Sequence, residues 1–274
     1  GQFNCDPSRI YLEGLGPGGE AAAQLAALYG DIFAAVAVRN GYPRKPELTS
    51  GMERVPTMFL MREGSELTTA GRKAFFDDMM KRAKDVGIEN DIKIVTLPAL
   101  EKVTPKDMAG CAVEPLLDAT DDVVAFLEPH RLVSYPDTIR VTTNDRNFSK
   151  RAWVRLRRFE VGDGDTVVDL KGKIDKKTNT IELEAENVFA FTFFLNDVLL
   201  DLDRPVTVMV NGRTAYIGTV ERKLETMLDD YRTYPFLTHR SYSASLLVEV
   251  KEEALAPETP KEDGQGAGEE AGGK

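Results

Sequence analysis

The pattern of apolar and polar positions changes once along the chain. Up to about residue 130 the strand-like stretches are Ala34–Val38, a continuous apolar run, Val55–Met61, a mainly apolar run, and Ile92–Leu97. Runs of that kind suit strands covered on both faces, as in a parallel sheet. Helical stretches lie between them. Ala21–Tyr29 holds almost only good helix formers and is apolar nearly all round, which predicts a buried helix. Leu67–Val86 is amphipathic, with Phe75, Met79 and Met80 on one side, and Met108–Leu127 predicts one or two closing helices. With Ile10–Leu12 as a first strand, the order is β-α-β, β-α-β-α. That order implies an α/β fold, a mostly parallel sheet with covering helices.

From Leu132 onward the texture is alternating. Ser134-Tyr135-Pro136-Asp137 marks the change, and Thr138–Thr143, Ala152–Val161, Thr166–Ile174 and Thr180–Ala185 read as successive strands. Ile181, Leu183 and Ala185 interleave with Glu182, Glu184 and Glu186, so one face is buried and the other is wet. Pro205–Val210, Asn211-Gly212 and Arg213–Val220 predict a hairpin with a type I′ turn. A short helix near Glu221–Tyr231 and a strand at Ala244–Val250 complete a small antiparallel all-β sandwich. Trp153 and the aromatic run Val188–Leu195 are its expected core. Residues 251–274 carry seven acidic and three basic side chains and few large apolar ones, which predicts a disordered acidic tail. The expected division is therefore 1–131 (α/β), 132–250 (sandwich) and 251–274 (tail).

Composition removes several functional classes. A net charge of −10 argues against a nucleic-acid partner, which calls for a basic face. No apolar run is long enough to span a membrane. Cys5 and Cys111 give neither a disulfide framework nor metal-ligand spacing, and the Asp-rich bits Asp163–Asp165 and Asp201–Asp203 lack the ligand series of a calcium loop. No metal or cofactor is therefore expected.

The stretch with chemical character is Arg9–Gly41. It reads as strand, tight turn Gly14-Leu15-Gly16-Pro17-Gly18-Gly19, helix and second strand. Gly14, Gly16 and Gly19 satisfy G-x-G-x-x-G, the dinucleotide fingerprint. The second strand, however, ends in Arg39-Asn40 rather than in an acidic residue for the ribose. Arg39 would instead have to hold a 2′-phosphate, so NADPH is the nucleotide this reading points to.

The same stretch resembles the nucleophile elbow of the α/β-hydrolases, in their esterase, polyhydroxybutyrate-depolymerase and prolyl-oligopeptidase-like branches. Gly14, Leu15, Gly18, Gly19, Asp31, Phe33, Ala34 and Gly41 fall on the family pattern, while Gly16 stands where the serine belongs. The likeness covers roughly residues 8–130, the C-terminal half of such a domain. It implies a nucleophile at Gly16, an oxyanion N–H at Pro17, an acid at Ser65 or Glu66 and a base at Lys102. Glycine has no attacking atom, proline has no N–H, and lysine replaces the histidine. Glutamate at 66 can still serve as the acid. The two histidines, His130 and His239, fall outside the family's histidine position.

Residues after 132 resemble the sandwich appended to some bacterial hydrolase-like proteins, in Tyr135–Leu156 and Asp203–Gly212. Three functions follow as expectations: a pseudo-hydrolase that binds or assembles, an active hydrolase whose nucleophile lies elsewhere (Ser65 or a missing segment), and a nucleotide binder using the glycine turn. The chain enters about one strand before the elbow, so an upstream segment or another chain is expected to complete the sheet edge. A removed signal peptide would make the protein secreted or periplasmic.

Overall fold

The computed structural model describes residues 5–42, 44–62, 70–98, 119–160, 167–233 and 240–250. Its first part is a four-stranded parallel sheet in the order β1-β2-β3-β4, formed by β1 (Tyr11–Leu15), β2 (Ala35–Arg39), β3 (Thr57–Arg62) and β4 (Ile92–Leu97). Helices α1 (Pro17–Leu28) and α2 (Ala70–Asp85) make the crossovers, and α3 (Thr120–Leu127) follows β4. The apolar runs of β2 and β3 are explained by burial on both faces, whereas β4, at the edge, is largely exposed. Val36, Val38 and Phe59 face a cluster with Ala22, Ala26 and Met79, and Ala35, Ala37, Met58 and Leu60 face Val123 and Leu127.

One sequence expectation is corrected in α2. Phe75 is exposed, stacked on Tyr42 with centroids 6.1 Å apart, and Phe76 turns inward instead, edge-on to Phe59. The inner stripe is Phe76, Met79 and Ala83, spaced i, i+3, i+7; Phe75 lies one position off that face.

The second part packs two sheets around one core. One sheet runs β13-β10-β7-β6 and the other β12-β11-β9-β8-β5. Their strands are β5 (Thr138–Thr143), β6 (Lys150–Arg151), β7 (Val154–Phe159), β8 (Val168–Asp175), β9 (Thr180–Ala185), β10 (Val188–Leu195), β11 (Val206–Val210), β12 (Arg213–Gly218) and β13 (Ala244–Glu249). Helix α4 (Leu224–Thr233) lies between β12 and β13 in sequence. Trp153 is fully buried, stacked near Phe193, and donates its indole N–H to Pro136 O at 2.7 Å. Phe191 and Phe193 are buried beside it.

The β11–β12 hairpin has the predicted turn, with φ of +50° at Asn211 and +77° at Gly212. The sandwich is not wholly antiparallel, as had been expected, because β9 and β11 pair in parallel. After β9 the chain crosses to the facing sheet, runs back as β10, and returns beside β9 in its original direction.

Candidate functional site

Leu15 ends β1 at the C-terminal edge of the parallel sheet, and α1 starts two residues later with Pro17 at its first position. Proline is well suited there, since its missing N–H would have no partner inside the helix. Gly16 joins the two elements at φ +54° and ψ −121°, a conformation that side-chain-bearing residues adopt only under strain. Its N–H donates to Arg39 O at 2.8 Å, and its carbonyl accepts from Glu20 N at 3.1 Å. The turn is closed by contact as well as by torsion: a Cβ on Gly14 would lie 2.1 Å from Gly18 O. A Cβ on Gly16 would meet nothing within 4 Å, so the residue at the tip of the turn faces open space.

Arg39 ends β2 beside this turn and is 2 % exposed. It pairs with Glu13 of β1 and reaches Thr120 Oγ1 at 3.3 Å, tying β1, β2 and the start of α3 together. The guanidinium proposed for a 2′-phosphate is thus buried and held within the sheet. Ser65, Glu66, Lys102 and His239 lie outside the described residues. His130 follows α3, whose first residue is at the Arg39 edge; its backbone carbonyl accepts from Tyr11 Oη at 3.0 Å, at the start of β1. It therefore sits at the opposite edge of the sheet from Gly16. Burial lowers its imidazole from the usual value, opposed by the charge of Asp91.

The strongest polar cluster was not visible in the sequence. Asp31, just after α1, lies under the sandwich. Its Oδ2 accepts from Arg240 Nη2 at 2.9 Å and from Ala152 N at 2.9 Å, and its carbonyl accepts from Arg240 Nη1 at 3.1 Å. Arg151 of β6 donates to Ala27 O at 3.1 Å, to Gly51 O, and to Glu53 O at 3.0 Å. Helix α1 has no basic residue in its last turn, so the cation that complements its C-terminus comes from the other half of the molecule. Burial alone would raise the Asp31 carboxyl. The charges of Arg240 and Arg151, with the Ala152 N–H, outweigh it and hold Asp31 below the ordinary aspartate value. Asp31 matched the hydrolase pattern, but its partners lie more than a hundred residues away, beyond the reach of any local signal.

Among the described residues, no group of three or more His, Cys, Asp or Glu is placed to hold a metal, and no helix is long and apolar enough to cross a membrane. The Asp201–Asp203 bit is a turn, with Asp203 N donating to Asp201 Oδ1, and Asp203 and Asp197 gripping Arg222.

No protein-family model matches the chain, and no curated protein matches it. Among solved structures, a thermostable esterase is similar at 15% identity and TM-score 0.35, over 47% of this chain and 32% of that one. The apo form of translation elongation factor SelB from Methanococcus maripaludis is similar at 6% identity and TM-score 0.25, over 93% of this chain and 54% of that one. The chain thus spans about a third of the esterase's length. Similarity at this level carries no functional conclusion.

Proposed function

We propose that the chain is a hydrolase-like scaffold that does no acyl transfer at the Gly14–Gly19 turn and serves in binding or assembly. The observation that carries this reading is the torsion at Gly16, which has the strained strand-to-helix geometry of a nucleophile position but no side chain to attack with. Pro17 adds to it, since the following residue lacks the N–H that would stabilise an oxyanion. Loss of one such donor costs on the order of 10²–10³ in rate. Without an Oγ or thiolate at the tip of the turn, no covalent intermediate forms there.

Fluorophosphonate labelling read by intact mass tests the proposal. The natural chain should give no adduct. A stoichiometric adduct would overturn the reading, and its position would identify the nucleophile, Ser65 being the first place to look. Gly16→Ser should fold, since its side chain enters open space, at about 1–3 kcal/mol for the strained torsion.

A further inference from the structure

The outer face of the β12-β11-β9-β8-β5 sheet carries two rows of side chains set across its strands. Thr138, Lys173, Glu182 and Met209 stand in register on β5, β8, β9 and β11. Arg140, Lys171 and Glu184 form a second row two residues along, which places it about 7 Å from the first. The floor between the rows is the backbone of Ile139, Gly172 and Leu183. The side chains of Ile139 and Leu183 belong to the core on the other face. A Cβ on Gly172 would point there too, 2.8 Å from Trp153 Cη2. The groove has a volume of about 430 Å³, with Glu53 of the α/β half in its lining. Lys171 and Glu184 also line an adjoining cavity, together with Arg140 and Asp169.

Glu53 and Arg140 meet where the two spaces adjoin, and both are held in place. Arg140 is 6% exposed and is gripped through Nε and Nη2 by Asp169, which also accepts from Thr142 Oγ1 at 3.1 Å. Glu53 follows the 3₁₀ turn Pro46–Met52, and its carbonyl accepts from Arg151 at 3.0 Å. What remains of the guanidinium is Nη1, buried and without a hydrogen bond, 4.0 Å from Glu53 Oε2. One hydroxyl oxygen bridges that gap at ordinary hydrogen-bond lengths, with an angle of about 90° at the oxygen. It accepts from the guanidinium and donates to the carboxylate, which neither a simple cation nor a simple anion can do.

We propose that this groove binds a neutral polyol the size of a mono- or disaccharide, its hydroxyls paired to the two rows. A sugar hydroxyl both donates and accepts. The walls offer both kinds of partner: ammonium donors at Lys171 and Lys173, carboxylate acceptors at Glu182 and Glu184, and the Thr138 hydroxyl. Lys171 and Glu184 approach each other only to 3.9 Å and are exposed, so each keeps hydrogen-bonding capacity for a ligand. Because the signs alternate, a charged ligand meets like charge as readily as unlike. The fit therefore depends on no surplus of either charge. An extended peptide is disfavoured, since β8 and β9 each already pair with a strand on both sides and offer no free edge. The volume lies at the lower end of the small-ligand range. Met209 supplies the apolar contact where a stacking ring would otherwise sit, which sets the expected Kd at about 1 mM. The site is independent of the glycine turn and of the reading given to it.

Titration of the full 274-residue chain, followed by ¹H–¹⁵N correlation spectra, tests the proposal. The probes are glucose, maltose and cellobiose, with glucosamine and glucuronate as charged counterparts. At least one neutral sugar should saturate a single site, shift the amides of Gly172, Leu183 and Gly212, and bind more tightly than both charged sugars. Lys173→Ala and Glu182→Ala should each weaken that binding about fivefold, with unchanged circular dichroism. Lys176→Ala, on the turn beyond β8, should leave it unaltered. No saturation by any neutral sugar at about 50 mM, or shifts confined to other regions, would overturn the proposal. So would equal binding by all three variants, or tighter binding of a charged sugar.

Discussion

The two halves of this molecule solve the burial problem differently. The sandwich has one continuous core, centred on Trp153, Phe191 and Phe193, with both sheets contributing alternate residues to it. The α/β half divides its apolar surface between two clusters on either side of a parallel sheet. Left-handed backbone occurs in the connections of both halves, at Gly16, Asn40 and Arg54 in the first and at Ala152, Asn179, Asn187 and Asn211 in the second, and in the first Gly14 is also in contact with Gly18. The α/β half is closed partly by groups reaching in from the sandwich. Arg151 caps α1 and Arg240 neutralises Asp31, so the order of the first half depends on the second.

Removing the centre of the sandwich should have the largest effect. Trp153→Ala deletes a buried ring and its hydrogen bond to Pro136 O, and should cost about 4–5 kcal/mol. In urea titrations followed by far-UV circular dichroism, both halves should lose stability together. If only the sandwich weakens, the dependence of the α/β half on it is wrong.

Cutting the ionic link comes next. Asp31→Asn removes the carboxylate charge that faces buried Arg240 and Arg151 and should cost about 3 kcal/mol near pH 7. The natural chain should show coincident transitions by Trp153 emission, which reports the sandwich, and by far-UV dichroism, which also reports α1–α3. The variant should separate the two. Because folding lowers the Asp31 pKa, its contribution is present above the unfolded value of about 3.8 and is lost as pH falls through the lower folded value. The natural chain should therefore lose more stability than Asp31→Asn between pH 6 and pH 3. Parallel losses would show that Asp31 does not carry the link.

The smallest expected change is confined to the turn. Gly14→Ala would place a Cβ 2.1 Å from Gly18 O, forcing the start of α1 away from β1. A loss of about 2 kcal/mol is expected, with reduced helical dichroism and unaltered Trp153 emission at low denaturant. An equal shift in emission would mean that the strain spreads through the interface.

Much of this architecture was legible in advance. Ala34–Val38 and Val55–Met61 are apolar without alternation because both faces of a parallel strand are covered, and burial of that kind is written directly in composition. The Asn211-Gly212 turn was legible because few residue pairs tolerate two positive φ values in succession. The glycine spacing of the candidate site also followed from the sequence, since close backbone approach excludes side chains.

Other features were settled only by the fold. Which face of α2 is buried turned on a single helical position, so Phe76 and not Phe75 entered the core. The parallel β9–β11 pair depended on β10 leaving for the facing sheet, a choice made by packing between sheets. That Arg39 is buried against Glu13 and Thr120 emerged only once β1, β2 and α3 were placed together. The partners of Asp31, and the Glu53–Arg140 pair, join residues far apart in the chain. Local propensity and periodicity act over a few residues, whereas electrostatic pairing acts through space. The elements and the empty turn were therefore determined by the sequence alone, and the charged contacts that join and line them by the tertiary structure.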